Sequence, residues 1–193
     1  MHKGRLEAFS DGVVAILITI MVLELKVPDG HDWNALTQDH ELLHVFLAYV
    51  LSFVFVGIYW NNHHHMLQAT SHVNGRILWA NMHLLFWLSL VPFTTGWLGR
   101  EGEYPLPTAL YGVDLLCCAI AYTILQNAII KEIGPTSKLA LAVKKDVKGK
   151  ISLLLYLAAI PLAFWNVWIA DGIYVTVALI WLAPDPRIER VIK

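Results

Sequence analysis

The chain has 193 residues, of which 57% are hydrophobic and only 15% charged, with eight tryptophans and a formal net charge of −1. That balance describes an integral membrane protein and excludes an ordinary soluble domain. The net charge also gives no electrostatic case for nucleic acid as a partner. The two cysteines, Cys117 and Cys118, are neighbours in an apolar run. Adjacent cysteines are poor disulfide partners, so they read as small packing residues.

The first span predicted by hydropathy runs over Phe9–Val27. At ~1.5 Å per residue it has about the length that crosses a hydrocarbon core of ~30 Å. Pro28 closes it, because proline disfavours helical geometry in the residue before it. Lys3 and Arg5 ahead of Val13–Leu23 imitate a signal peptide, but no small-x-small cleavage site follows, and the segment reads as retained. Ser10 and Asp11 at one end and Thr19 in the middle are what a plain anchor would not carry. A carboxylate at a membrane helix end is costly without a partner and is a functional-site hypothesis by default.

A polar, acidic stretch (Asp29, His31, Asp32, Asp39, His40, Glu41) leads to a second span over Leu43–His65. The third covers Ile77–Leu98 and the fourth Pro107–Ile130. A fifth and sixth share Ile151–Pro184, hinged near Asn166 or near Asp171-Gly172. Each of those two has about 16 residues, near the short limit for a span. The expectation is one all-α membrane domain, residues 1–193, with six transmembrane helices, no internal repeat and no second domain.

Charge orients it. With the N-terminus in the cytoplasm, the inner segments hold Lys3, Arg5, Arg76, Lys131, Lys138, Lys144, Lys145, Lys148, Lys150, Arg187, Arg190 and Lys193. The outer segments hold Lys26 and Arg100. This positive-inside bias favours an even number of spans and two cytoplasmic termini. The lysines of 138–150 form a topogenic loop that is also suited to anionic headgroups.

On a helical wheel of the first span, Ile16, Ile20 and Leu23 stand at i, i+4 and i+7 and form one stripe. Thr19 lies beside it, and Asp11 is about 140° away from Ile16. One face is therefore aliphatic, and the acid lies on the opposite side. Two readings of the stripe stay open on these residues alone: a lipid-facing or packing surface, or the wall of a pore gated by dewetting.

Trp60-Asn61-Asn62-His63-His64-His65 ends the second span on the same side as Asp11. Consecutive histidines point about 100° apart on a helix and cannot share one metal ion, so no metal site is expected. His63 or His64 instead suits a buried polar role within reach of Ser10 or Asp11, with Asn81 on the same side. Thr94-Thr95-Gly96-Trp97 resembles a potassium-channel filter only faintly, with Leu98 where a second glycine belongs, and reads as a proline-bent helix end. Asp114 and Glu24 read as lone acids snorkelling near span ends. No Ser/His/Asp order, HExxH, GxSxG, Walker loop or dinucleotide fingerprint is present, and Asp11 lacks a second carboxylate, so no enzyme is expected.

Arg5, followed at a spacing of four by Phe9-Ser10-Asp11 at the head of the first span, resembles the signature of the transmembrane protein 175 family of potassium channels. Trp60 with His63 and His64 resembles the family's Trp-x-x-His pattern. Asn81, Pro92 and the ending Pro184-Asp-Pro-Arg187-Ile-Glu look like the family's as well. The family has long lysosomal members with two six-helix repeats and short prokaryotic members with one, and this chain resembles the short kind.

The resemblance implies a homotetramer, in which the chain joins three further copies around a central pore lined by the first helices. It implies residence in the cell (inner) membrane of a prokaryote. Counted from Asp11, the family's narrowest position falls on Ile16 and its further pore layers on Thr19, Ile20 and Leu23. Arg5, Ser10, Asp11, Trp60, His63 and Asn81 look like the polar network at the cytoplasmic end that holds the first helix. The expected function is a passive, potassium-preferring cation channel that uses membrane lipid and permeant potassium and no cofactor. The alternative is a proton-coupled secondary transporter using Asp11 and the second-helix histidines. It would want paired broken spans, and no such pair is evident.

Overall fold

The computed structural model describes residues 3–28, 30–33, 40–70, 72–143 and 146–182, with the backbone alone at Lys138 and Ala142. The ending Pro184–Glu189, Asp29 and Asp39 of the acidic stretch, and Lys144 and Lys145 of the basic loop lie outside the described residues. Among the described residues the chain is helical and has no strand. The helices are α1 (Lys3–Met21), α2 (His40–Gln68), α3 (Gly75–Leu88), α4 (Val91–Glu101), α5 (Pro105–Ile133), α6 (Lys138–Val143), α7 (Val147–Ala163) and α8 (Val167–Leu182). A 3-10 turn, Val22–Glu24, extends α1.

Four stretches are long and apolar enough to cross a membrane: Lys3–Glu24, His40–Gln68, Gly75–Glu101 and Pro105–Ile133. The third of these is α3 and α4 together. Its break at Ser89-Leu90 is followed by Pro92 in the first turn of α4, where a missing N–H leaves no helical bond unmade. The apolar α7 and α8, of 17 and 16 residues, complete the bundle. Of the two hinges open to the sequence, the chain uses the one at Asn166. The Asn166 side chain caps α8 by accepting from the Trp168 N–H at 2.9 Å, and Asp171-Gly172 continues as helix.

Polar contacts fix how the helices alternate. Lys3 Nζ at the start of α1 donates to the Gln68 carbonyl at the end of α2, and Lys26 pairs with Glu41 at the other side. Asn74, the N-cap of α3, donates to Glu132 near the end of α5. Lys148 Nζ at the start of α7 reaches the Ile180 carbonyl near the end of α8. The starts of α1 and α3 therefore share a side with the ends of α2 and α5.

The first helix differs from its predicted span at both ends. It begins at Lys3, and regular α-helix stops at Met21, well before Pro28. The backbone tightens at Val22–Glu24 and is extended by Leu25.

Because lipid is as apolar as leucine, helices in a membrane associate through close packing and interhelical hydrogen bonds. Small residues make the closest approaches here. A Cβ on Gly99 of α4 would stand 2.7 Å from the Val45 Cα of α2. Gly112 of α5 leaves room for the Tyr174 ring of α8, whose hydroxyl donates to the Thr108 carbonyl at 3.0 Å. Two apolar clusters result. One gathers Leu6, Val14, Leu17 and Met21 of α1 against α2, α3 and α5; the other joins α2, α5, α7 and α8 around Tyr111, Tyr156 and Tyr174. Cys118 is fully buried in the first cluster and Cys117 is half-buried, both as free thiols.

Candidate functional site

The two faces of α1 differ sharply. Leu6, Ser10, Val14, Leu17 and Met21, spaced three or four apart, point into the protein and are at most 6% exposed. On the other side Ile16 is 57% exposed, Ile20 45% and Leu23 77%, with Thr19 exposed among them. The aliphatic stripe is thus left bare by the single chain. Leu23 belongs to the 3-10 turn, just past the regular helix. Thr19 Oγ1 directs its hydrogen back to the carbonyls of Ala15 and Ile16, at 3.1 and 2.9 Å. Its oxygen lone pairs remain as acceptors on the bare face.

Behind the stripe, α1 is held by two separate polar groups. In the buried one, His63 Nε2 and Asn81 Oδ1 are 2.6 Å apart, and Asn81 Nδ2 donates to Ser10 Oγ at 3.0 Å. Ser10 Oγ in turn donates to the Leu6 carbonyl at 2.9 Å. With Asn81 Oδ1 as acceptor, His63 Nε2 carries the proton, and the chain His63–Asn81–Ser10 ties α2, α3 and α1 together. The second group lies nearer the surface, where Trp60 Nε1 donates to Asp11 Oδ1 at 2.9 Å. Asp11 therefore finds an indole N–H as its partner, and the histidine goes to Asn81.

The three histidines diverge. His63 is buried, His64 stacks on Trp60 and bonds Gln68, and His65 keeps a buried Nδ1 with no partner. Among the described residues no three His, Cys, Asp or Glu side chains gather as a metal site. Arg5 stands apart from both polar groups, exposed and without a polar contact among the described residues.

Two features escaped the sequence reading. Asp114 does not snorkel: it is 3% exposed and accepts from Thr94 Oγ1 at 2.9 Å. Beside it, Thr95 donates to Ser52, which bonds Tyr111. Glu24 does not stand alone either, since it pairs with Arg100 of α4. A clue was present in the small-residue spacing Gly96-x-x-Gly99 beside Thr94-Thr95, which marks α4 as a closely packed helix. The Thr94–Trp97 stretch is helical throughout and presents no carbonyl filter.

Four stretches long and apolar enough to cross a membrane, packed into one helical bundle, define an integral membrane protein. A family model described as endosomal/lysosomal potassium channel TMEM175 matches residues 5–92, a range that contains the exposed stripe and the two polar groups behind it. A potassium channel of Chryseobacterium sp. (strain P1-3) is 56% identical over 193 residues, covering 100% of this chain and 99% of that one. A potassium channel of Chamaesiphon minutus is 31% identical, covering 92% of each. The crystal structure of a lysosomal potassium-selective channel TMEM175 homolog from Chamaesiphon minutus matches with a TM-score of 0.77 at 30% identity, covering 93% of this chain and 96% of that one. The chain belongs to the TMEM175 family of ion channels.

Proposed function

We propose that the chain is a potassium-preferring cation channel, conducting passively through a central pore walled by α1 from four copies. The observation that carries this reading is the bare stripe on α1: Ile16, Ile20 and Leu23 exposed, with Thr19 among them, while the opposite face is packed and hydrogen-bonded. Four such stripes around an axis make an apolar constriction at Ile16, which water and ions cross only when it widens. The names of the relatives support potassium as the permeant ion.

In this reading Ile20 and Leu23 are further wall layers, and Thr19 offers an oxygen to a partly dehydrated cation. Ser10, Asp11, Trp60, His63 and Asn81 hold α1 in position. Arg5, bare in the single chain, is assigned a contact with a neighbouring copy. Residues 1–193 form one membrane domain in a prokaryotic cell membrane, with both termini cytoplasmic, and the channel needs no cofactor.

The test is potassium and sodium flux from liposomes carrying the purified protein, wild type against Ile16→Asn. Wild type should pass potassium ahead of sodium, and Ile16→Asn should raise flux and weaken that preference. Slow, saturable, pH-gradient-dependent movement that Ile16→Asn leaves unchanged would favour a transporter.

A further inference from the structure

The ion pair between Glu24 and Arg100 joins the far end of α1 to α4, where the sequence offered no partner. Glu24 follows Leu23 directly in the 3-10 turn, and its side chain reaches α4. Its carboxyl group lies against Gly96, where a Cβ would stand 2.9 Å from both Cδ and Oε2. A Cβ at 96 would press on the flexible end of the acid and make it shift. Arg100 is itself well placed, because α4 is held to α2 by the Gly99–Val45 approach and by Thr95 on Ser52, and to α5 by Thr94 on Asp114.

Besides Lys3 on the Gln68 carbonyl and Lys26, just past the 3-10 turn, on Glu41 of α2, side-chain ties hold α1 on both sides of its exposed stripe. Ser10 and Asp11 hold one end, and Glu24 holds the other, with the wall positions Ile16, Thr19, Ile20 and Leu23 between them. The first attachment reaches α2 and α3, whereas the second reaches α4, beyond the break at Ser89-Leu90. A shift of α4 relative to α3 would thus pull on the far end of the wall helix, where among the described residues the only other tie is the well-exposed Lys26–Glu41 pair.

We propose that Glu24, Arg100 and Gly96 are positioning residues for conduction: they set how closely the Leu23 and Ile20 layers approach the pore axis. This rests on the reading that α1 walls the pore. The pair is partly exposed, with side chains 32% and 46% accessible, so its loss biases the position of α1 and leaves the bundle folded. Once it is broken, the wall at this end widens, and the apolar layers exclude hydrated ions less strictly.

The experiment is liposome flux of potassium and sodium with the full chain, for wild type, Glu24→Gln, Arg100→Gln, the double variant and Gly96→Ala. Each single charge variant should raise potassium flux and lower the potassium-over-sodium preference by about two- to fivefold, the factor an exposed ion pair can supply. The double variant should match either single charge variant and not their product, because both remove the same contact. Gly96→Ala keeps both charges and only makes the flexible end of the acid shift, so its effect should run in the same direction and be smaller than that of Glu24→Gln.

Wild-type flux and preference in the single charge variants, or effects that multiply in the double, overturn the proposal. Should one glutamine variant fail to assemble, the other decides alone: raised flux sustains the proposal, and wild-type flux ends it. Ile16→Asn, run alongside, separates the two levels. If it alters flux and the other variants do not, the anchor is wrong and the wall stands. If none alters flux, the wall reading falls and the anchor with it.

Discussion

At Thr19 a hydroxyl sits on an otherwise aliphatic face with its hydrogen turned inward to the Ala15 and Ile16 carbonyls. The orientation matters because a cation needs acceptors, and a hydroxyl whose proton is already engaged presents lone pairs alone. Thr19→Val keeps the shape and removes the oxygen. It should lower potassium flux by about three- to tenfold, the factor that one neutral polar contact of ~1 kcal/mol controls. Thr19→Ser should stay near wild type. The comparison is liposome flux of the two variants at matched protein density, and equal flux in Thr19→Val and wild type would remove Thr19 from the conduction path. Ile16 needs no such partner, since its proposed role comes from having no polar atom to offer.

For the elements, the question is why α1 presents one face and packs the other. Its buried stripe carries one polar residue, Ser10, and Asn81 bridges that hydroxyl to His63. Asn81→Ala would remove both bridges and leave His63 buried without its partner. That should cost about 1–3 kcal/mol, read as a lower thermal unfolding midpoint in detergent, whereas exposed Trp79→Ala on the same helix should cost little. Equal midpoints for the two variants would make the bridge incidental.

Much of this architecture is legible in the sequence, because hydropathy and charge act over whole spans. The spans and the Ile16/Ile20/Leu23 stripe follow from hydropathy and periodicity, and Asn166 is one of two hinges that these leave open, the other being Asp171-Gly172. What periodicity could not tell is which partner each polar side chain takes. Asp11 goes to Trp60 and His63 to Asn81, because the crossing of α1 over α2 and α3 decides the pairing and no local pattern encodes it. Asp114 and Glu24 were misread for the same reason. Their partners Thr94 and Arg100 are brought to them by α4, whose separation from α3 depends on a two-residue break inside one hydropathy peak. The end of α1 was misjudged because Pro28 marks where a helix must stop, and the backbone tightens into a 3-10 turn at Val22–Glu24 before reaching it.

In the whole molecule, a single chain leaves its most informative surface uncovered, and the account's central claim is that this surface faces water in a pore. Exposure alone does not separate the stripe from lipid-facing positions such as Leu154, which is 66% exposed on α7. Accessibility to an aqueous reagent does. Cys117 and Cys118 are first replaced by alanine, and the measurement is then potassium flux from liposomes before and after a charged, water-soluble thiol reagent. It compares Ile20→Cys with Leu154→Cys in that background. The account predicts that the reagent blocks most of the flux through Ile20→Cys and leaves Leu154→Cys conducting. Flux through Ile20→Cys that the reagent does not change, although the label is found on the thiol, would contradict it.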